Sequence, residues 1–164
     1  MLRTVGGPGT LERVPRLLIV HHTPSPNLQS LFEAAVLGAS DPEITGIEVV
    51  RQAALSTTAA DVLAADAYLL GTPANLGYMS GALKMFFDLI YYPCLDSTRG
   101  RSYGLYVHGN NDTAGAIRSV ESITTGLGWV KAANHVLSTG EPGKTTLDAC
   151  RDLGGVLAAG LMRA

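Results

Sequence analysis

Three short stretches hold most of the groups in this chain that could bind or orient a ligand: HHTPSPN (21–27), TPANLGYMSG (72–81) and HGNNDT (108–113). The first offers hydroxyls at Thr23 and Ser25 and an amide at Asn27, directly ahead of a segment patterned as a helix from Leu28. Backbone N–H groups at a helix start, flanked by hydroxyls, suit a phosphate. Either hydroxyl would serve equally as an N-cap. Neither the GxxxxGK[ST] of a triphosphate loop nor the GxGxxG of a dinucleotide site is present, which leaves a single terminal phosphate as the ligand class. The second stretch and its lead-in place Gly71, Gly77 and Gly81 within eleven positions, in a connection longer than the roughly two to six residues a turn requires. Gly77 would let backbone approach a flat ligand, Tyr78 supplies an aromatic surface and Asn75 both donor and acceptor. In the third stretch, Gly109, Asn110, Asn111 and Asp112 could meet the polar edge of a heterocycle, and are also good turn formers.

Chemistry carried by the protein itself has little support. There is no GxSxG and no HExxH, and none of the three loops contains an acidic pair, so hydrolytic function is not indicated. His22 and His108 flank the loops without forming a nucleophile pattern, and His135 is expected in the core. Cys94 and Cys150 lie far apart with no CxxC, as buried thiols would. The residues point to no metal and no catalytic side chain; they point to binding.

A short apolar run, RLLIVHH (16–22), suits a strand buried on both faces. The helix that follows places Leu28, Leu31, Phe32 and Ala35 on one stripe and stops near Gly38. The alternation continues with strands over 46–53, 66–72, 102–109 and 134–139. Helices are expected over 57–65, from Gly81 to the Tyr91-Tyr92-Pro93 stop, over 114–128, and over 146–164, the last weakened by Gly154 and Gly155. Five strands alternating with five helices predict an α/β fold, a five-stranded parallel sheet of order 2-1-3-4-5 with helices on both faces. In such a sheet ligands bind beyond the carboxyl ends of the strands where the order reverses, between strands 1 and 3. The three polar loops follow strands 1, 3 and 4.

The chain has 164 residues, 46% of them hydrophobic, enough for one sizeable core. Residues 1–15 read as a flexible lead-in and 16–164 as the single domain. A net charge of −2 gives no basis for nucleic-acid or polybasic membrane binding. The N-terminus lacks a signal-peptide core, which predicts a cytoplasmic protein.

The stretch GTPANLGYMSGALKMFFD (71–88) resembles the signature of NAD(P)H-dependent FMN reductases and related flavodoxin-like quinone reductases. HHTPSPN is similar to their phosphate loop and YGLYVHGNND to their fourth strand and its flavin-contacting loop. The resemblance implies a flavodoxin-like domain that binds FMN. The phosphate would be held by Thr23, Ser25, Asn27, Leu28 and Gln29, the ring would run along Thr72, Pro73, Ala74, Asn75, Leu76, Gly77, Tyr78 and Met79, and the far edge would meet His108, Gly109, Asn110, Asn111 and Asp112. It further implies NAD(P)H as co-substrate, a small-molecule electron acceptor, and a homodimer or higher homo-oligomer with Tyr91 and Tyr92 as contact aromatics. A flavodoxin-type electron carrier, or a domain of this kind without flavin, are the alternatives.

Overall fold

The computed structural model describes residues 3–4 and 11–162. Most of the lead-in lies outside the described residues, as do positions 163 and 164. Arg3–Thr4 and Leu11–Glu12 pair antiparallel.

The main sheet has seven strands: β1 Arg16–His21, β2 Glu48–Ala53, β3 Ala67–Asn75, β4 Tyr78–Met79, β5 Ser102–Gly109, β6 Val130–Lys131 and β7 Val136–Thr139. Its order is β2-β1-β3-β5-β6, with β4 folded back on the end of β3 and β7 also paired with β5. Apart from β4 every pairing is parallel. Counting only the parallel positions, this is the expected 2-1-3-4-5 arrangement, with β6 and β7 sharing the fifth place.

The helices are α1 Pro26–Ala39, α2 Ala59–Ala64, α3 Gly81–Cys94, α4 Ala114–Leu127 and α5 Lys144–Ala159. The four apolar residues Leu17 to Val20 of β1 are each at most 1% exposed, because successive side chains enter two different cores. Leu18 and Val20 pack with Val62, Leu83, Phe86 and Val120 of α2, α3 and α4. Leu17 and Ile19 pack with Leu28, Leu31 and Phe32 of α1 and with Cys150 and Leu153 of α5. Both cysteines are free and buried, as expected.

Three local expectations are corrected. β3 does not stop at Thr72; it continues to Asn75 and turns through Leu76-Gly77 into β4. α3 does not end at Pro93, which lies inside it. A proline there frees only the carbonyl of Leu89, and both residues are exposed to water. Gly154 is a close-packing site more than a weakness in α5: a Cβ on it would overlap the carbonyl oxygen of Ala35 on α1, and one on Gly38 would overlap that of Arg151 on α5. α1 and α5 thus meet backbone to backbone.

Arg101, at the entry to β5, ties the layers together. Its Nη1 donates to the carbonyls of Val62, Leu63 and Ala65 at 3.2, 3.1 and 2.6 Å and to the Tyr68 hydroxyl at 3.1 Å. A cation at the carbonyl end of α2 meets both the unpaired acceptors and the negative pole of the helix. Burial pushes the Tyr68 phenol up to about 12.

Candidate functional site

At the carboxyl ends of β1, β3 and β5 the three polar loops converge on a cavity of about 230 Å³. Pro24, Ser25, Asn27 and Leu28 line it from the first loop, Pro73, Ala74 and Asn75 from the second, and His108, Gly109 and Asn110 from the third. None of these residues is acidic.

The first loop is shaped by its prolines. Ser25 is the N-cap of α1, its Oγ accepting from the Leu28 N–H at 3.3 Å, while Pro26 occupies the first helical turn. Proline costs nothing there because its missing N–H would lack a helical partner anyway. Asn27 is then the first helical residue with an N–H, and it faces the cavity. Thr23 is not among the residues that line the cavity; its Oγ1 lies 2.7 Å from His21 Nδ1. Gln29 does not join the cavity: its amide donates to Glu33 at 2.9 Å along the outside of the helix.

The second loop is a two-residue hairpin. Ala74 pairs with Met79 and Asn75 with Tyr78, and the central residues Leu76 and Gly77 have φ of 51° and 74°. Positive φ at both centres is the type I′ geometry whose twist suits adjacent strands. Glycine adopts it freely; leucine does so under strain. Leu76 is nonetheless fully exposed. The tip is seated on α4, since a Cβ on Gly115 would overlap the Gly77 carbonyl. Behind it, Met79 is buried and its N–H donates to Ser119 Oγ at 3.1 Å. Thr72 is buried too: its hydroxyl donates to the Pro73 carbonyl at 2.8 Å and accepts from the Ser80 N–H at 3.1 Å. Thr72 and Met79 hold the loop, while Asn75, Leu76, Gly77 and Tyr78 form its exposed rim.

In the third loop, His108 Nε2 donates to the Gly140 carbonyl at 2.8 Å and lies 3.3 Å from Asn27 Nδ2. With the imidazole hydrogen committed to Gly140, the Asn27 amide hydrogens stay available to the cavity. Asp112 spends one oxygen on the N–H of Ala114 at 2.8 Å, capping α4, and Asn111 is exposed beside it. His135 is half-buried just ahead of β7 rather than a core residue; its Nε2 lies 2.7 Å from Glu121, and burial lowers its pKa despite that carboxylate.

The loop positions signalled most of this, but three contributors lay outside them or carried no motif: His21, whose ring holds Thr23; Gly115, which seats the hairpin; and Gly140, which fixes His108.

No family model matches the chain. Over 73 residues it is 34% identical to a flavodoxin from Aquifex aeolicus (strain VF5), a match covering 44% of this chain and 38% of that protein. The chain therefore matches well under half the length of that relative. Among solved structures, a flavodoxin from the domain Archaea superposes with a TM-score of 0.75 at 16% identity, covering 89% of this chain and 98% of the other. The fold is flavodoxin-like. A flavodoxin, WrbA-like protein from Agrobacterium tumefaciens shares it at a TM-score of 0.72 and 17% identity, over 90% of this chain and 97% of that one. Within the flavodoxin-like fold the cavity occupies the switch point where strand order reverses between β1 and β3. No helix among the described residues is long and apolar enough to cross a membrane, and no cluster among them could hold a metal ion.

Proposed function

We propose that this chain binds FMN and works as an oxidoreductase, taking a hydride from NAD(P)H and passing the electrons to a small acceptor such as a quinone or a flavin. The observation that carries the reading is the carboxylate-free cavity at the switch point, where the start of α1 meets the loops after β3 and β5. Its donor set fits a phosphomonoester: the Ser25 hydroxyl, the Asn27 N–H and amide, and the positive pole of a 14-residue helix. At about 230 Å³ the cavity is below the roughly 300–1,000 Å³ of a typical enclosed ligand site. It would hold the phosphate end and leave the ring on the open rim formed by Asn75 to Tyr78. The bound FMN would supply the redox chemistry. The protein's tasks are then to hold the phosphate, border the ring with the hairpin, and bring Asn110 and Asn111 near its polar edge.

A second reading, an electron carrier, is favoured by the partial match to a flavodoxin. A visible spectrum of the isolated protein, followed by anaerobic addition of NADH and NADPH, separates the two. Bleaching of bound flavin by either nucleotide is expected. Flavin that binds yet stays oxidised would favour the carrier, and failure to take up FMN would leave a flavodoxin-like domain without flavin.

The reading includes a homodimer, because a nicotinamide must settle beside a ring that one subunit leaves open. Met85, Leu89 and Tyr92 supply an exposed apolar stripe on α3, whereas Tyr91 turns inward against Gly126 of α4. Light scattering should give about twice 17.1 kDa. A monomer that keeps full reductase activity would eliminate the dimer.

A further inference from the structure

Asn27 of α1 and His108 of β5 both line the cavity, and Asn27 Nδ2 lies 3.3 Å from His108 Nε2. The same Nε2 is 2.8 Å from the Gly140 carbonyl, an oxygen that only accepts. That carbonyl is held in place, because the Gly140 N–H donates to the Gly109 carbonyl at 3.3 Å and Ser138, two residues earlier, pairs with His108 in the sheet. The ring must therefore carry a hydrogen on Nε2. The neutral tautomer meets this, and no charge is called for.

A ring nitrogen that bears its hydrogen has no lone pair left, so the Asn27 amide can only accept from it. Oδ1 can do so and Nδ2 cannot. The two ends of an asparagine amide have nearly the same shape and differ in their hydrogen bonding. A half-turn about the last side-chain torsion puts Oδ1 on the ring, where it shares the Nε2 hydrogen with Gly140. Both Nδ2 hydrogens are then turned away from the ring, toward the cavity that Asn27 lines.

We propose that His108 is a positioning residue that fixes the polarity of Asn27: its Nε2 hydrogen holds the amide oxygen inward, so that Asn27 offers the cavity two donors and no acceptor. The ligand class follows from this. A phosphomonoester dianion brings acceptors alone and meets the Nδ2 hydrogens beside the positive pole of α1, whereas a donor-only group such as an ammonium would face hydrogens and be refused. The inference rests on the phosphate-site reading of the first loop and adds to it the group that sets the donor.

Apo-protein titrated with FMN and, separately, with riboflavin tests this, the ratio of the two affinities reading the phosphate's share. His108→Leu should cut that ratio roughly threefold to tenfold, the contribution of one hydrogen bond. His108→Gln, whose amide nitrogen falls near the Nε2 position and can donate, should restore it to within about twofold. In an Asn27→Ala background His108→Leu should change the ratio no further, since the effect runs through Asn27. A merely structural role would weaken both flavins alike and leave the ratio untouched, which would overturn the proposal. So would a loss equally large in the absence of the Asn27 amide, or a glutamine variant as weak as the leucine one. The wild-type protein supplies a check that needs no variant: nitrogen NMR of the imidazoles should show the His108 hydrogen on Nε2, and a hydrogen on Nδ1 alone would overturn the proposal. Wild-type protein that binds neither flavin would overturn the phosphate-site reading as well.

Discussion

Gly154→Ala should destabilise the fold by about 2–3 kcal/mol, the cost of overpacking a closed contact. Helix propensity alone gives the opposite sign, since alanine in a helix interior gains about 1 kcal/mol over glycine. Packing wins because the new methyl would overlap the Ala35 carbonyl oxygen. That acceptor belongs to the backbone of α1 and cannot rotate aside as a side chain could. Relief requires the two helices to part, which opens the core around Leu31, Cys150 and Leu153. The adjacent glycine provides the contrast. A Cβ on Gly155 would lie 3.6 Å from the nearest atom, the Gly38 carbonyl oxygen, an ordinary van der Waals separation. Gly155→Ala should therefore gain up to about 1 kcal/mol. Urea unfolding of both variants, with slopes compared to the wild type, reads the difference. Equal stabilities for the two variants would mean that α1 and α5 are not in backbone contact.

At the other end of the molecule, Gly77→Ala should weaken FMN binding at least tenfold, or about 1.4 kcal/mol. Nothing in the protein lies within 4 Å of a Cβ at this position, so the substitution meets no steric obstacle in the apo-protein. Its effect there is confined to strain at φ 74°, on the order of 1 kcal/mol. In the FMN complex the methyl would stand on the rim where the ring is proposed to lie. Gly46 provides a matched control: its φ is 76°, its Cβ would also enter open space, and it precedes β2 at the amino ends of the strands. Gly46→Ala should cost similar stability and leave FMN affinity unchanged. If the two variants bind FMN alike, the glycine at 77 serves only the turn.

The parallel sheet was legible because each central strand is a short apolar run and each connecting segment has helical spacing. The order 2-1-3-4-5 then followed from alternation and handedness. The loops around the cavity were legible for the same reason, since the topology alone assigns the carboxyl ends of strands 1, 3 and 4 to one place. Tertiary effects were not. Nothing local marks Leu76 as a turn residue, because leucine disfavours positive φ and the hairpin imposes it from outside. Pro93 is a helix breaker by rule, yet it is harmless near an exposed helix end. Gly154 carries the composition of a weak helix, and only the position of Ala35 on another element turns it into a contact. Arg101 carries no motif, and only the fold brings it to the carbonyl end of α2. His21 gave no motif because its packing depends on the Phe32 ring of α1.

The Arg101 anchor also bears on how the chain comes into being. α2 is six residues long, too short to persist in water unaided, and its closing carbonyl at Ala65 is held by a side chain 36 positions further on. During synthesis α1 and β1 can associate as soon as they emerge, but α2 has no partner for its carboxyl end until the ribosome has delivered Arg101. The segment between β2 and β3 is thus completed late, after β3 and α3 have been made, and its order is contributed by sequence translated well after its own.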